Sequence, residues 1–404
     1  MNESAGQSVS YEQQKGSGKS MCVCFLSAKH PPLDKRVFDK EATSLAQHGF
    51  EVVHLAPHTG AAEWVQRQVR LVTYAPPRRT FDRLLQLPRL YRLAARVNAD
   101  CYHCNEVDSW LVGVLLKLMR GKKVVFDVHE HYPSMFAESL SLEWLQPCAA
   151  WMMRLGLRLL ALFTDRLVFA KKFISEDFAG SEPKHVLVEN FVPLAYKDVQ
   201  QQDGGSLQKG DAKGGVRAIY LGSMERQRGC LEILEAVTRA RSQDLCIEIV
   251  GTFVDDSQAD FERRVVELGL AERVRVEDWL PFDQAYQRVL GADIGLILFL
   301  PGQKNHNLAL PHKMFDYMLA GLPVIAPNFA QEVVEIIKEA DCGILIDSSS
   351  PDEIAQALDR LASDPQERQR LGRNGRRAVL EKYNWEAEFQ KLLKMYTTLQ
   401  DEIR

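Results

Sequence analysis

Long apolar runs are missing from this 404-residue chain. None approaches the roughly 20 consecutive apolar residues that a membrane-spanning helix needs, so an integral helical membrane protein is excluded. Strong charge of either sign is missing too. A formal net charge of -4 gives no global pull toward nucleic acid or anionic lipid, and no nucleic-acid partner is expected. Neither G-x-G-x-x-G nor G-x-x-x-x-G-K-[ST] follows any predicted strand, which argues against a dinucleotide dehydrogenase and a P-loop NTPase. The 8 cysteines include one CxxC, Cys101 to Cys104, with His103 between. A zinc site needs a second ligand pair at suitable spacing, and none follows, so reduced, buried thiols are the expectation. The first 20 residues are polar and rich in Gly and Ser, without the apolar core of a signal peptide. They read as a disordered tail ahead of a cytoplasmic enzyme.

What is present is a pattern that runs twice. At this length two domains are expected. Apolar runs of strand length at 21–28, 51–57, 100–104, 123–128, 166–170 and 185–190 alternate with helical spacing over 34–48 and 110–119. Residues 201–215, QQDGGSLQKGDAKGG, are Gly-rich and polar, a linker by composition. The alternation then restarts with strands at 217–223, 246–251, 273–276, 294–300, 323–327 and 343–347, and two helical stretches close the chain. Continuous apolar strands between helices predict parallel sheets covered on both faces. The fold class is therefore α/β, with two doubly wound Rossmann-like domains, 21–200 and 216–404, facing across a cleft. The terminal helices are free to lie back on the first domain.

Ligands of such sheets sit beyond the carboxyl ends of the strands. Several segments fall there. KHPPLDKR (29–36) offers Asp34 and Arg36. FDVHEHYPSM (126–135) crowds Asp127, His129, Glu130 and His131 into five positions. From its residues alone this is a metal site, an acid–base site or a polar loop. GSMERQRG (222–229) sets Arg226 and Arg228 before a helix start, where free N–H groups and guanidinium donors attract phosphate or simply make a solvated basic turn. Gly251 ends another strand. PGQKNHNLALPHK (301–313) leads through Pro311 into KMFDYMLAGLPVIAP.

That last stretch resembles glycosyltransferase family 4, the retaining GT-B class, whose members typically read LPNKLFEYMAAGLPVIAS there. The likeness extends to SAKHPPLDKRVFDKEATSLAQHGFEV, FDVHEHYP, RQRG and NGRRAVLEKYNWEAE, in the family's order. It implies a GT-B fold and transfer of a sugar from a UDP- or GDP-type donor to a glycan or lipid-linked glycan acceptor. No cofactor and no metal are implied. His129 takes the catalytic position on the acceptor side, with Glu130, His131, Asp34 and Arg36 shaping that side. Arg226, Arg228, Lys313, Asp316, His306, Asn307 and Gly251 take the donor side, with backbone N–H groups of 306–309 as further donors to the diphosphate.

The sequence departs from the family at three places. The E-x7-E pattern puts its first Glu at residue 308, which is Leu308. Asp316 stands where Glu is usual, and Ser223 replaces the Arg of a GRL turn. Two other readings follow, a GT-B nucleotide-sugar epimerase and a catalytically inactive sugar-nucleotide-binding protein. Residues 81–97 and 144–163 mix Arg with Leu, Met and Trp, as a helix on an anionic membrane surface does and as a domain helix on a sheet also does.

Overall fold

The computed structural model describes residues 20–60, 62–76, 82–140, 142–198 and 215–404. The tail and the linker read from composition lie outside the described residues, except for Ser20 and Gly215.

The first sheet has eight strands: β1 (Cys22–Leu26), β2 (Glu51–Pro57), β3 (Glu63–Gln66), β4 (Val69–Tyr74), β5 (Cys101–Cys104), β6 (Lys123–Val128), β7 (Arg166–Phe169) and β8 (His185–Leu187). Their spatial order is β3-β4-β2-β1-β5-β6-β7-β8, and every pairing is parallel except β3 with β4. The second sheet holds β9 (Val216–Leu221), β10 (Leu245–Val250), β11 (Val274–Glu277), β12 (Ile294–Leu296), β13 (Val324–Pro327) and β14 (Gly343–Ile346), in the order β11-β10-β9-β12-β13-β14. Chain direction across each sheet reverses beside its first strand, between β1 and β5 and between β9 and β12. A crevice opens at such switch points, at the strands' carboxyl ends.

Both faces of each sheet are covered, and alternate strand residues feed different cores. On β5, Tyr102 and Cys104 enter the core shared with Trp110 and Phe126, while Cys101 enters the opposite core with Phe25 and Val168. The CxxC therefore straddles the sheet. Its two sulfurs face opposite ways and cannot share an ion.

Four features depart from the sequence reading. The helix expected over 34–48 opens as a π-helical turn, Val37–Ala42, and turns α-helical only at Thr43–Gln47. Thr43 Oγ1 donates to Phe38 O at 2.8 Å in that wide turn, which buries Lys40 and Glu41 completely. The hairpin β3–β4 was not foreseen, because Arg67 and Gln68 make its left-handed turn without glycine. Residues 144–163 divide into a 3-10 turn, Glu143–Leu145, and the helix Gln146–Leu162. Three helices close the chain instead of two: Pro351–Ser363, Pro365–Glu381 and Trp385–Ile403.

The last of these leaves the second domain and covers the first. Asn384 caps it, accepting from Ala387 N at 3.0 Å. Its stripe of Trp385, Phe389, Leu392, Tyr396 and Leu399 is buried against Val23, Phe25, Val125 and Val168. We expect Leu392→Ala to cost about 2–5 kcal/mol in chemical denaturation of the full chain. A change under about 0.5 kcal/mol, the usual limit for a surface substitution, would show that this helix does not complete the first domain's core.

Candidate active site

Five strand ends converge on one cleft of about 660 Å³ between the domains. β6 delivers His129 and Glu130, β7 delivers Lys171, and Asn190 follows β8. β9 delivers Gly222, Phe299 follows β12, and the segment 303–316 forms the far wall.

On the first-domain side, His129 Nε2 lies 2.9 Å from Asp127 Oδ2 in a skewed approach. Asp127 is wholly buried and takes two hydrogen bonds from Arg36, Nε and Nη2 each at 3.0 Å. Burial works to raise the Asp127 carboxyl, yet Arg36 and then His129 hold it well below the ordinary carboxylate range. An anion is thus fixed directly under His129. Glu130 reaches the cleft and takes a hydrogen bond from Lys171 at 3.0 Å.

The other acceptor-side expectations are corrected. Arg36 is buried beneath the cleft floor, bonded to Asp127 and to Val188 O and 3.0 Å from Glu41. Asp34 accepts from the backbone N–H of Arg36 and Val37 and pairs with His30, so it shapes the π-turn and does not line the cleft. His131 spends both ring nitrogens. Nδ1 accepts from Ser134 N at 3.2 Å, capping the helix Tyr132–Glu138, and Nε2 faces Asp177 at 2.9 Å.

On the second-domain side, Lys313 is the cation that matters most. The residue is half-buried, but its Nζ is buried without a hydrogen-bond partner and rests 3.4 Å from the Tyr220 ring centroid. Burial, with Arg228 adding to it, pushes the ammonium well below the ordinary lysine range. Arg228 lines the same wall, with Nε 2.7 Å from Glu225. Asp316 lies one helical turn beyond Lys313. Its Oδ2 is 3.3 Å from both Lys35 Nζ and His312 Nδ1, while its Oδ1 is buried without a partner. Burial tends to raise this carboxyl, but Lys35 and then His312 hold it well below the usual range. His306 donates from Nδ1 to Leu300 O at 2.9 Å, which leaves Nε2 as the ring's acceptor in the neutral form.

Four donor-side expectations need revision. Arg226 is held outside the cleft by Asp260. Asn307 does not line the cleft; Asn305 does, and its Oδ1 accepts from His131 N at 2.9 Å across the domain boundary. The backbone N–H groups of 306–309 are consumed by the local turn, so none is left for phosphate. Gly251 supports the cleft without touching it. At φ +149°, a Cβ there would collide with the carbonyl oxygen of Gly222.

Sequence reasoning missed Lys35, Lys171, Asn190, Asn305 and His312. The first three follow strand ends, so the positional rule that found His129 contained the signal. Lys40 was missed for a different reason. Its Nζ crosses to His312 Nε2 at 3.0 Å while bonding Asn190 and Phe191 O, contacts between segments over 100 residues apart.

Among the described residues, Glu41, His103 and Asp127 group closely enough to suggest a metal. The group does not fit one, because Arg36 already sits 3.0 Å from both carboxylates and supplies the positive charge.

The Lys313 geometry has a pH consequence. A lysine whose folded pKa is depressed leaves the unfolded chain holding the extra proton, so stability rises with pH between the depressed value and 10.5. Lys313→Met should therefore stabilise the empty protein by about 1–3 kcal/mol at neutral pH. It should also flatten the rise in melting temperature between about pH 7 and pH 10 and remove nucleotide-diphosphate binding. Unchanged melting behaviour would mean that Lys313 is solvated.

Comparison with known proteins agrees with this geometry. Residues 35–195 match the family described as Glycosyltransferase Family 4, and residues 208–378 match Glycosyl transferases group 1. The chain is 26% identical over 171 residues to the MMP alpha-(1->4)-mannosyltransferase of Mycolicibacterium hassiacum, covering 42% of this chain and 39% of that one. It is 25% identical over 167 residues to the D-inositol 3-phosphate glycosyltransferase of Thermomonospora curvata, covering 41% and 37%. These matches thus span about two fifths of the length of either relative. Similarity of fold is broader. Anabaena HepE in complex with UDP aligns with TM-score 0.70 at 13% identity over 94% of this chain and 100% of that one. Sucrose-phosphate synthase from Thermosynechococcus elongatus aligns with TM-score 0.70 at 17% identity over 95% and 100%. Matched in its first half and then its second, and folded as two facing parallel-sheet domains of the GT-B type, the chain belongs to the group 1, family 4 glycosyltransferases.

Proposed function

We propose that this protein is a retaining hexosyltransferase-type enzyme that moves a sugar from a UDP- or GDP-type donor to a glycan or lipid-linked glycan, in polysaccharide or glycoconjugate assembly. It works in the cytoplasm, against a membrane when the acceptor is lipid-linked, and needs no metal. One observation carries the reading: a buried Lys313 ammonium and a buried Asp316 oxygen, both without hydrogen-bond partners, line a cleft whose opposite wall presents His129. Unpartnered buried polar groups are costly, and a diphosphate beside Lys313 with a ribose beside Asp316 would satisfy both. HepE, which shares the fold, has been seen with UDP and UDP-glucose.

In this reading Arg228 and Lys313 stabilise the charge that develops on the departing diphosphate while the anomeric carbon becomes cationic. A single positioned donor of this kind is worth about 3–4 kcal/mol. Arg228 must first exchange Glu225 for phosphate. His129, oriented over the Asp127 anion, meets the sugar and acceptor from the first domain, so its contribution grows as the domains close.

A second reading, donor binding without turnover, also has an observation behind it. Leu308, at the position of the family's first Glu, is buried in the first domain's core, and so presents no carboxylate to the sugar.

Thermal shift over a panel of nucleotide sugars identifies the donor, since a ligand at 100 times its Kd adds about 2.7 kcal/mol of stability. With that donor, turnover should survive EDTA. His129→Ala should lower kcat about 100-fold at nearly constant donor Kd. Binding with neither transfer nor hydrolysis would favour the second reading. Conversion of the sugar without nucleotide release would indicate an epimerase. Normal kcat with a lowered melting temperature in His129→Ala would reduce His129 to scaffolding.

A further inference from the structure

The first domain wears an apolar surface that its own core does not use. Helices Asp82–Val97, Val107–Arg120 and Gln146–Leu162 connect β4 to β5, β5 to β6 and β6 to β7, and all three bury residues in the same core. They form one layer on one face of the sheet. The first two are joined on their outer side, where Tyr91 Oη donates to Met119 Sδ at 3.5 Å. The inner stripe of Gln146–Leu162 is Ala149, Leu157 and Ala161. Its outer side exposes Trp151, Met152, Leu155, Leu159 and Leu162, and Trp144 just before it is 75% exposed. A soluble surface scatters such residues singly, whereas one helix face carrying this many marks an interaction surface.

The charge on the layer says what covers it. Its three helices contain eight Lys and Arg against two Asp and no Glu, in a chain whose net charge is -4. Arg89, Arg92, Arg96 and Arg158 are exposed on it. A second copy of the chain, docked face to face, would set this positive layer against itself. An anionic lipid surface complements it, with Trp, Leu and Met entering the headgroup boundary and Arg remaining at the phosphates. The surface also leads to the cleft. Helix Tyr132–Glu138 packs on Gln146–Leu162, exposes Phe136 outward and lines the cleft with Met135 and Glu138.

We propose that the outer face of Gln146–Leu162, with Leu142 and Trp144, docks the protein on an anionic bilayer and turns the Met135 rim of the cleft toward lipid-borne acceptors. The acceptor part of this inference rests on the function proposed above; the docking part does not.

The test is co-sedimentation of the full chain with phosphatidylcholine vesicles, with and without phosphatidylglycerol, alongside tryptophan quenching by brominated lipid. Binding and quenching are expected on phosphatidylglycerol vesicles and should fall with added salt. The Trp151→Glu, Leu155→Glu double variant should lose binding at least 10-fold while keeping its melting temperature and its nucleotide-sugar affinity. As an independent probe, Arg89→Glu with Arg92→Glu should weaken binding to anionic vesicles and leave the apolar face intact. Failure of the wild-type chain to bind vesicles would overturn the proposal. So would equal binding to neutral vesicles, undiminished binding by the Trp151/Leu155 variant, or a dimer dispersed by that variant in the absence of lipid. Vesicle binding by a protein that turns over no donor would overturn the glycosyltransferase function and leave the docking surface standing.

Discussion

Arg36 and Asp127 form the pair on which the site is built. Both are buried, and the guanidinium grips the carboxylate with two hydrogen bonds. Arg36 enters from the segment after β1 and Asp127 sits on β6, so the pair ties two strand ends together under the cleft. Removing either partner would strand a buried charge, a loss of about 3–5 kcal/mol. Two further effects depend on the pair. Asp127 remains an anion, which orients the His129 ring. Glu41, wholly buried beside the same Asp127, is pushed well above the carboxylate range by burial and by that neighbouring anion. That shift favours the neutral form of Glu41 and eases the demand on Arg36, whose guanidinium lies 3.0 Å from both carboxyl groups.

The domains meet through contacts of unequal kind. Lys35 reaches Asp316, Lys40 reaches His312, and Lys172 N donates to Glu332 at 2.8 Å. These are polar and exchangeable with water or ligand. Leu308 differs, because withdrawing it from the first domain's core returns apolar surface to water, about 1.5–3 kcal/mol for a leucine side chain. Two chain crossings link the domains, and they lie side by side: Val192 bridges Asn384, and Trp385 N donates to Val192 O at 2.9 Å. Adjacent crossings of this kind form one hinge region, about which closure would bring His129 toward Lys313.

Most of the fold was legible because parallel sheets write themselves as apolar runs separated by helices, and because sites in such sheets follow strand ends. His129, Glu130, Arg228, Lys313 and Asp316 were found that way or by family likeness, and all line the cleft. The errors have local causes. Arg226 and Arg228 are two positions apart in a 3-10 turn, so they leave it in different directions, and spacing alone does not say which one faces the ligand. Asn305 and Asn307 present the same ambiguity on their short helix. Asp34, Arg36 and His131 were correctly placed near the site but misjudged in role, since a polar residue under a strand end serves a turn or a buried pair as readily as a substrate. The Lys40–His312 contact depends on how the domains sit, and no periodicity encodes that.

The helix Trp385–Ile403 has a consequence for biosynthesis. The first sheet is translated early, by about residue 187, yet one of its faces is covered only in part, by Val37, Phe38, Ala42, Leu45 and Ala46, until Trp385 through Leu399 have been made. The second sheet, finished at Ile346, and its covering helices are complete before that happens. The domain that begins first is thus finished last. While the second domain folds, a nascent chain carries the core of Val23, Phe25, Val125 and Val168 incompletely covered, the kind of transiently exposed apolar surface that chaperones bind.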